Sequence, residues 1–60
     1  MIKYILVVNS EPKMYYYADE YEDAVDSLKY YRQFYKDAKL YSCKFSAKDR
    51  VIYLEECKGV

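Results

Sequence analysis

Histidine and tryptophan are absent from this 60-residue chain, which contains two cysteines, one glycine and one proline. Without histidine the zinc sites built from two cysteines and two histidines cannot form, and Cys43 and Cys57 do not have the spacing of a metal-binding pair. We therefore expect no metal and no cofactor. Because glycine and proline are so scarce, low-complexity disorder is not expected, and the composition predicts a folded chain.

Catalytic motifs are also missing from the sequence. It has no glycine-rich phosphate loop and no nucleophile motif. The carboxylates of Glu22 and Asp26 share a predicted helix face, but no other reactive group accompanies them, which is typical of a solvated helix surface. Cys43 falls on the strand face that we assign to the core, where a free cysteine usually serves packing. The sequence therefore predicts a protein that is not an enzyme.

The length of the chain predicts one small domain, residues 1–60, which buries about 60% of the surface that its unfolded form exposes. Domains of this size often need a partner or a cross-link for stability. The apolar start, residues 1–8, is too short to cross a membrane, and no signal peptide is recognisable. Two thiols in such a chain predict a reduced, cytoplasmic protein that has no membrane as a partner.

Strand and turn patterns predict two hairpins. Four segments rich in β-branched and aromatic residues are expected to be strands: about 2–8, 13–18, 40–46 and 51–56. Asparagine, serine and proline at residues 9–12 favour a four-residue turn, which places Leu6 opposite Tyr15. In the second hairpin, a turn at or near residues 48–49 pairs Cys43 with Leu54. Residues after the last strand are expected to fray.

One helix is expected from about residue 20 to about residue 37. Asp19 precedes Glu22 by three residues, as in a capping box with aspartate at the N-cap. Apolar residues recur at helical spacing: Tyr21, Ala24, Val25, Leu28, Tyr31 and Tyr35. The chain order then predicts an α+β fold of the ββαββ type, in which one helix packs on one face of a four-stranded, largely antiparallel sheet.

Tyrosine is unusually frequent, with ten residues in the chain. Tyrosines on the helical stripe can fill a shallow core while their hydroxyl groups reach the rim. Tyr30 and Phe34 lie off that stripe, and a single helix cannot cover both faces of the sheet. If the helix covers the face of Ile5 and Val7, the residues left exposed are Ile2, Tyr4, Leu6, Tyr15 and Tyr17, whereas the converse choice exposes Tyr16 and Met14. Exposed apolar area of this kind usually marks an interface, and tyrosine is enriched where binding energy is concentrated.

These features predict a small, non-catalytic protein-binding module. Five carboxylates in residues 19–26, with no basic residue among them, can complement a basic groove on a nucleic-acid-binding partner. One specific hypothesis is an inhibitor from a phage or another mobile element, directed at a host or defence enzyme that acts on nucleic acid. The expected partner-binding residues are aromatic or acidic: Tyr15, Tyr17, Tyr30, Phe34, Glu20, Asp23 and Asp26.

Two other functions stay open at this stage. An aromatic four-stranded sheet can stack the bases of single-stranded nucleic acid, with Lys3, Lys13 and Lys44 as the basic residues nearby. The net charge of zero makes this less favourable, because nucleic-acid-binding domains are usually basic. The second alternative is a structural homodimer with no other ligand.

Overall fold

The elements follow the predicted order. The computed structural model describes residues 2–60, and Met1, the first residue of the predicted domain, lies outside this range. The five elements are β1 (Tyr4–Val8), β2 (Met14–Ala18), α1 (Tyr21–Arg32), β3 (Ala38–Ser46) and β4 (Val51–Glu56). The strands are antiparallel and lie side by side in the order β2-β1-β3-β4. The fold is therefore α+β of the ββαββ type.

The helix covers one face of the sheet and forms a small core with it. It packs over the central strands β1 and β3 and over the edge strand β2, but in the described part of the chain it does not approach β4. Six side chains are buried between the helix and the sheet: Leu6, Val8, Ala24, Leu28, Ala38 and Leu40. Two of the six are alanines, so few large side chains contribute to the stability of the domain.

The first hairpin has a longer turn than the sequence predicts. Leu6 lies opposite Tyr16, whereas a four-residue turn would place it opposite Tyr15. The turn therefore spans residues 9–13, and inside it the N–H and hydroxyl groups of Ser10 donate to backbone carbonyls at 3.1 and 3.0 Å. Turn-forming residues marked where the chain reverses, but they did not determine how many residues the reversal needs.

This one-residue difference decides which side of the sheet each residue of β2 occupies, because strand side chains alternate between faces. Met14 and Tyr16 face the helix and pack against the core. Tyr15 and Tyr17 lie on the opposite face and are 53% and 61% exposed. Three adjacent aromatic residues in β2 are thus divided between the core and the surface.

The second hairpin has the predicted register, with Cys43 opposite Leu54. Its turn covers residues 47–50, where the Arg50 N–H donates to the Ser46 carbonyl at 2.7 Å. Arg50 has a φ of 55°, which is the left-handed conformation that closes many turns of this kind. The alternation of apolar and polar residues was sufficient to define this pairing.

Cys43 does not face the core, and the prediction that it does is wrong. The pairing of β1 with β3 places Leu6 opposite Leu40, and both side chains are buried beneath the helix. Because side chains alternate along a strand, residues at odd positions of β3 point away from the helix. The hairpin pattern separates the two faces correctly, but only the register with β1 determines which of them the helix covers.

The helix begins without the predicted capping box. Its N-cap is Glu20 rather than Asp19, and no side chain forms a capping hydrogen bond there. Glu22 and Asp23 lie in the first turn, where negative charge is stabilised by the helix dipole. The acidic residues at this end therefore act through the dipole instead of through the reciprocal hydrogen bonds of a capping box.

The helix ends at Arg32, five residues before the predicted end. The N–H groups of Gln33 and Phe34 donate to carbonyls three residues earlier at 3.3 and 3.0 Å, as in a tightened last turn. Asn9 then holds Asp37 through two hydrogen bonds, one from its N–H at 2.8 Å and one from its side chain at 2.9 Å. These contacts with the first turn hold the segment before β3 outside the helix.

The last residues pack on the domain, contrary to the expectation that they fray. Cys57 and Val60 contact the core, and the Cys57 N–H donates to a β3 carbonyl at 2.8 Å. The guanidinium of Arg32 donates to the main-chain oxygen of Val60. Gly59 has a φ of 86°, a conformation that favours glycine and turns the chain back. Residues 57–60 therefore close one end of the core.

Candidate functional site

The sheet face opposite the helix is uncovered and largely apolar, and we call it the outer face. Side chains from all four strands contribute to it, because strand alternation places one set of each strand on this side. Monomeric proteins rarely expose continuous apolar area on this scale unless it serves binding. Its apolar residues are Ile2, Ile5, Val7, Tyr15, Tyr17, Tyr41, Cys43, Phe45, Ile52 and Leu54.

The total surface of the molecule is large for its mass. A compact monomer of 7.3 kDa is expected to expose about 4,200 Å², and this chain exposes 4889 Å². The excess of about 700 Å² is close to the ~800 Å² that each partner contributes to a standard protein interface. The radius of gyration, 11.8 Å, also exceeds the ~10 Å expected for this length.

An apolar groove lies on the outer face between the start of the chain and the second hairpin. Ile2, Cys43, Phe45 and Ile52 line its volume of about 370 Å³. The groove has no convergent polar groups of the kind that orient small ligands, so it suits an apolar side chain of a protein. Burial raises the pKa of the Cys43 thiol, which keeps the thiol protonated and weakly nucleophilic at neutral pH.

The opposite end of the outer face carries charge. Lys13, Lys39 and the carboxylate of Asp37 lie with Val7 and Tyr41 around a hollow of about 230 Å³. Lys39 Nζ is 3.8 Å from Glu56 Oε1, and exposed pairs of this type contribute about 0–1 kcal/mol. The outer face thus combines an apolar centre with a polar margin, which is the usual anatomy of a protein interface.

The second hairpin extends beyond the helix as a two-stranded ribbon. β3 pairs with β1 only through residues 38–42, and from Lys44 onward its partner is β4 alone. Residues 51–54 are 43–63% exposed on both sides of the strand. The Tyr53 hydroxyl donates to the Asp49 carboxylate at 2.8 Å, which raises the pKa of Tyr53. Ribbons of two strands are marginally stable alone, so this one would gain from a further contact.

A second aromatic cluster lies on the helix side of the molecule. Tyr16 stacks on Tyr31 with ring centroids 4.3 Å apart, and Tyr30 contacts Phe34 edge-on at 5.3 Å. A hydrogen bond with the Tyr16 hydroxyl, together with burial, raises the pKa of Tyr31 to about 12. Tyr30 and Phe34 remain 56% and 64% exposed, so the inner pair of rings packs on the core and the outer pair faces solvent.

We expect the protein to lose stability as the pH rises from 10 to 12, and Tyr31→Phe to remove part of that loss. Tyr31 keeps its proton up to about pH 12 in the folded state, against 10.0 for an ordinary tyrosine. The stabilisation is therefore complete below pH 10 and falls as the unfolded chain releases the proton first. Urea unfolding on both sides of pH 10 measures the slope, with Tyr17→Phe as the control. Equal slopes for the parent protein and Tyr31→Phe would contradict this assignment.

The predicted partner-binding residues do not form one surface. Tyr15 and Tyr17 lie on the outer face, whereas Tyr30 and Phe34 form an exposed pair on the helix side. The three acidic residues are exposed at or near the start of α1: Glu20, Asp23 and Asp26. Because the sheet separates the outer face from the helix, a flat partner surface can contact one group but not all of them.

Sequence reasoning missed the part of the outer face that the second hairpin provides. Phe45, Ile52 and Leu54 are 52–63% exposed there, yet they share the strand face of Cys43, which the sequence pattern placed in the core. One signal was present in β4, where residues on both alternate sets are apolar. Such a strand needs cover on both faces, and a single helix supplies it on one face at most.

Comparison with known proteins gives no relative from which a function can be transferred. No family model matches the chain, and neither a curated protein nor a solved structure matches it. Among residues 2–60, no three histidine, cysteine, aspartate or glutamate side chains are grouped to hold a metal ion. Within the same residues, the helix is neither long nor apolar enough to span a bilayer. The surfaces of the molecule therefore carry the functional inference.

Proposed function

We propose that this chain is a non-catalytic protein-binding module that docks a protein partner on its outer face. The observation that supports the proposal is the continuous apolar area across four strands, which no helix covers. The excess surface of about 700 Å² corresponds to one partner's share of a standard interface. Both cysteines are free thiols, which suits a reducing compartment such as the cytoplasm.

The residues of the outer face indicate what kind of protein can bind there. The apolar groove beside Phe45 accepts a protruding apolar side chain, and the exposed rings of Tyr15 and Tyr17 offer large contact area at a small entropic cost. At the polar margin Lys13 and Lys39 lie beside the carboxylates of Asp37 and Glu56, so the margin suits a polar rim of mixed charge on the partner. A fitting partner is therefore a protein with a convex apolar patch bordered by polar residues of both charges.

Phe45→Ala is expected to weaken the complex by about 1–3 kcal/mol, because truncating an interface aromatic removes burial at a binding hot spot. Phe34→Ala is the matched control. Phe34 and Phe45 are exposed to nearly the same extent, 64% and 60%, but they lie on opposite sides of the sheet. Both variants should keep the fold, as circular dichroism can verify. The reverse ranking in a binding titration would assign docking to the helix-side aromatic pair instead.

The partner for this titration can be obtained by site-specific crosslinking. A photoreactive phenylalanine at position 45 or 34 tests the two sides separately in the cells that produce the protein. A discrete adduct at position 45, with none at position 34, is the expected result. In the purified complex, alkylation of Cys43 should slow because it lies on the outer face, while Cys57, packed at the far end of the core, reports on unfolding. Equal protection of both thiols would contradict docking on the outer face.

We further propose, as the more specific form of this function, that the partner is a nucleic-acid enzyme of a host or defence system and that the module is a phage or mobile-element inhibitor. This form is supported by the exposed carboxylates at the start of α1, such as Asp23 and Asp26, which lie outside the docking face and can attract a basic partner over a distance before it docks. Asp23→Lys should then slow association mainly at low ionic strength, because exposed charges are screened over about 8 Å in physiological salt. An unchanged association rate would remove the support for this form while leaving the outer-face proposal intact.

Single-stranded nucleic acid is the second candidate ligand. Tyr41 and Phe45 share the outer face with Tyr15 and Tyr17, and Lys39 lies on the same face, as base stacking beside phosphate contacts requires. The aliphatic residues between the rings and the zero net charge favour protein instead. Salt-dependent binding of a labelled oligonucleotide, reduced by Lys39→Glu and by Phe45→Ala, would favour the nucleic acid.

A further inference from the structure

We propose that the free edge of β4 pairs with the same edge of a second copy of this chain. The two strands run antiparallel about a two-fold axis, and two four-stranded sheets become one sheet of eight strands. The inference goes beyond the proposed function, because it uses the edge of the sheet and leaves the outer face free. It is also the arrangement that extends the apolar outer face without a break across both copies.

The backbone of β4 is open for this pairing. The Cys57 N–H donates to the carbonyl of Leu40 in β3. Since hydrogen-bonding direction alternates along an antiparallel strand, the N–H and C=O groups of Ile52, Leu54 and Glu56 point towards the free edge. Natural edge strands are usually protected by proline, lysine, bulges or a covering element. Residues 51–54 carry no charge or proline, their pairing with β3 is continuous, and the helix does not approach them.

The other edge of the sheet is less available. The helix packs over β2, where Tyr31 stacks on Tyr16. A second copy approaching β2 would meet the helix as well as the strand, so β4 is the edge with room for a partner.

The side chains of β4 select one register. A two-fold axis perpendicular to the sheet leaves every side chain on its own face. Residues that pair across the axis must therefore belong to the same face, which is possible only if one residue of β4 lies opposite its own copy. With the axis at Tyr53, Ile52 lies opposite the partner's Leu54 on the outer face. Arg50, the turn residue that precedes β4, then lies near the partner's Glu56, and the symmetry repeats both contacts. Apolar side chains meet apolar ones, and two ion pairs of opposite charge close the ends.

Shifting the axis by one residue in either direction loses this complementarity. An axis at Ile52 places Arg50 opposite the partner's Leu54 and brings Asp49 opposite the partner's Glu55, which are like charges. An axis at Leu54 places Ile52 opposite the partner's Glu56. In both shifted registers the Ile52–Leu54 contact and the Arg50–Glu56 ion pair are lost, and like charges that face each other, as Asp49 and Glu55 do in the first of them, destabilise a sheet.

The Tyr53 register also gives a favourable contact on the other face of the ribbon, the helix side, which the helix does not reach. Because its backbone groups point to β3, Tyr53 would form a non-hydrogen-bonded pair with the partner's Tyr53, in which Cα atoms approach to about 4.5 Å. Two exposed rings would then contact across the axis, a favourable arrangement for aromatic side chains. Val51 lies opposite the partner's Glu55, whose aliphatic stem can pack on it while the carboxylate stays in water.

Charge reversal with rescue tests this register by sedimentation equilibrium on the isolated protein. Arg50→Glu should weaken the dimer about tenfold or more, because it places carboxylates opposite each other at two symmetric positions. The double variant Arg50→Glu with Glu56→Arg restores opposite charges and should restore the dimer. Lys29→Glu, on the exposed side of the helix, makes the same charge change elsewhere and should have no effect.

Isotope-filtered nuclear Overhauser measurements on a mixed labelled and unlabelled sample provide the second readout. Contacts between Ile52 of one copy and Leu54 of the other are expected. A chain that stays monomeric at millimolar concentration, a dimer that does not respond to Arg50→Glu, or a dimer without rescue would overturn the proposal. Neither measurement includes a docking partner, so a monomer that still shows outer-face docking would refute only the edge pairing.

Discussion

Leu28→Ala is expected to destabilise the protein by about 2–5 kcal/mol. Leu28 is completely buried near the centre of the helix, with an exposed fraction of 0%, and it belongs to a core of only six buried side chains. A domain of this length has a total stability of roughly 3–9 kcal/mol, so the loss is comparable to the whole. The substitution should therefore leave a large unfolded population at room temperature, which urea titration followed by circular dichroism can measure.

Tyr30→Ala provides the control for this result, because it removes a larger side chain two residues further along the same helix, on its exposed side. Tyr30 is 56% exposed and contacts neighbouring rings rather than the buried core. Its effect on the free energy of unfolding should stay near 1 kcal/mol, the range of a surface aromatic pair. If Leu28→Ala cost no more than Tyr30→Ala, the core would not lie beneath this face of the helix.

Removing residues 57–60 is expected to cost about 2 kcal/mol, even though they follow the last strand. Cys57 and Val60 pack on the core, and half-burial of two such side chains contributes roughly that amount. The Arg32 guanidinium would also lose its contact with Val60. Thermal unfolding of the truncated chain measures the change, and Lys58→Ala, at an exposed position of the same segment, is the control. An unchanged midpoint would mean that the segment does not contribute to the core.

The parts of the fold that follow from local pattern were predictable. The second hairpin was assigned its register, because a slip by one residue would place Lys44 and Ser46 on the apolar face. The position of the helix followed from the stripe that contains Leu28, since apolar residues at that spacing leave one side to bury. The order of these elements along the chain was then sufficient to predict the ββαββ arrangement.

Features that depend on contacts between distant segments were not predictable in the same way. The sequence predicts a helix that continues to about residue 37, because nothing in the helical segment itself shows that Asn9 binds Asp37. The face of β3 that meets the helix was misassigned, because the pairing of Leu40 with Leu6 is set by the first strand. The same error explains why most of the outer face was not predicted. The face of β3 that was expected to pack in the core is the face that points away from the helix.

The length of the turn at residues 9–13 has a consequence for how this sequence can change. Surface turns generally tolerate insertions and deletions. Here, however, the residue at which the turn closes decides which face of the sheet each side chain of β2 occupies. If the turn closed one residue earlier, with Lys13 opposite Val8, Tyr15 and Tyr17 would rotate into the interior and Tyr16 would come out. Both phases present aromatic rings to the helix, so the alternative packing has few polar side chains to oppose it. Which aromatic residues form the binding surface therefore depends on the length of a solvent-exposed turn more than on the chemical nature of its residues.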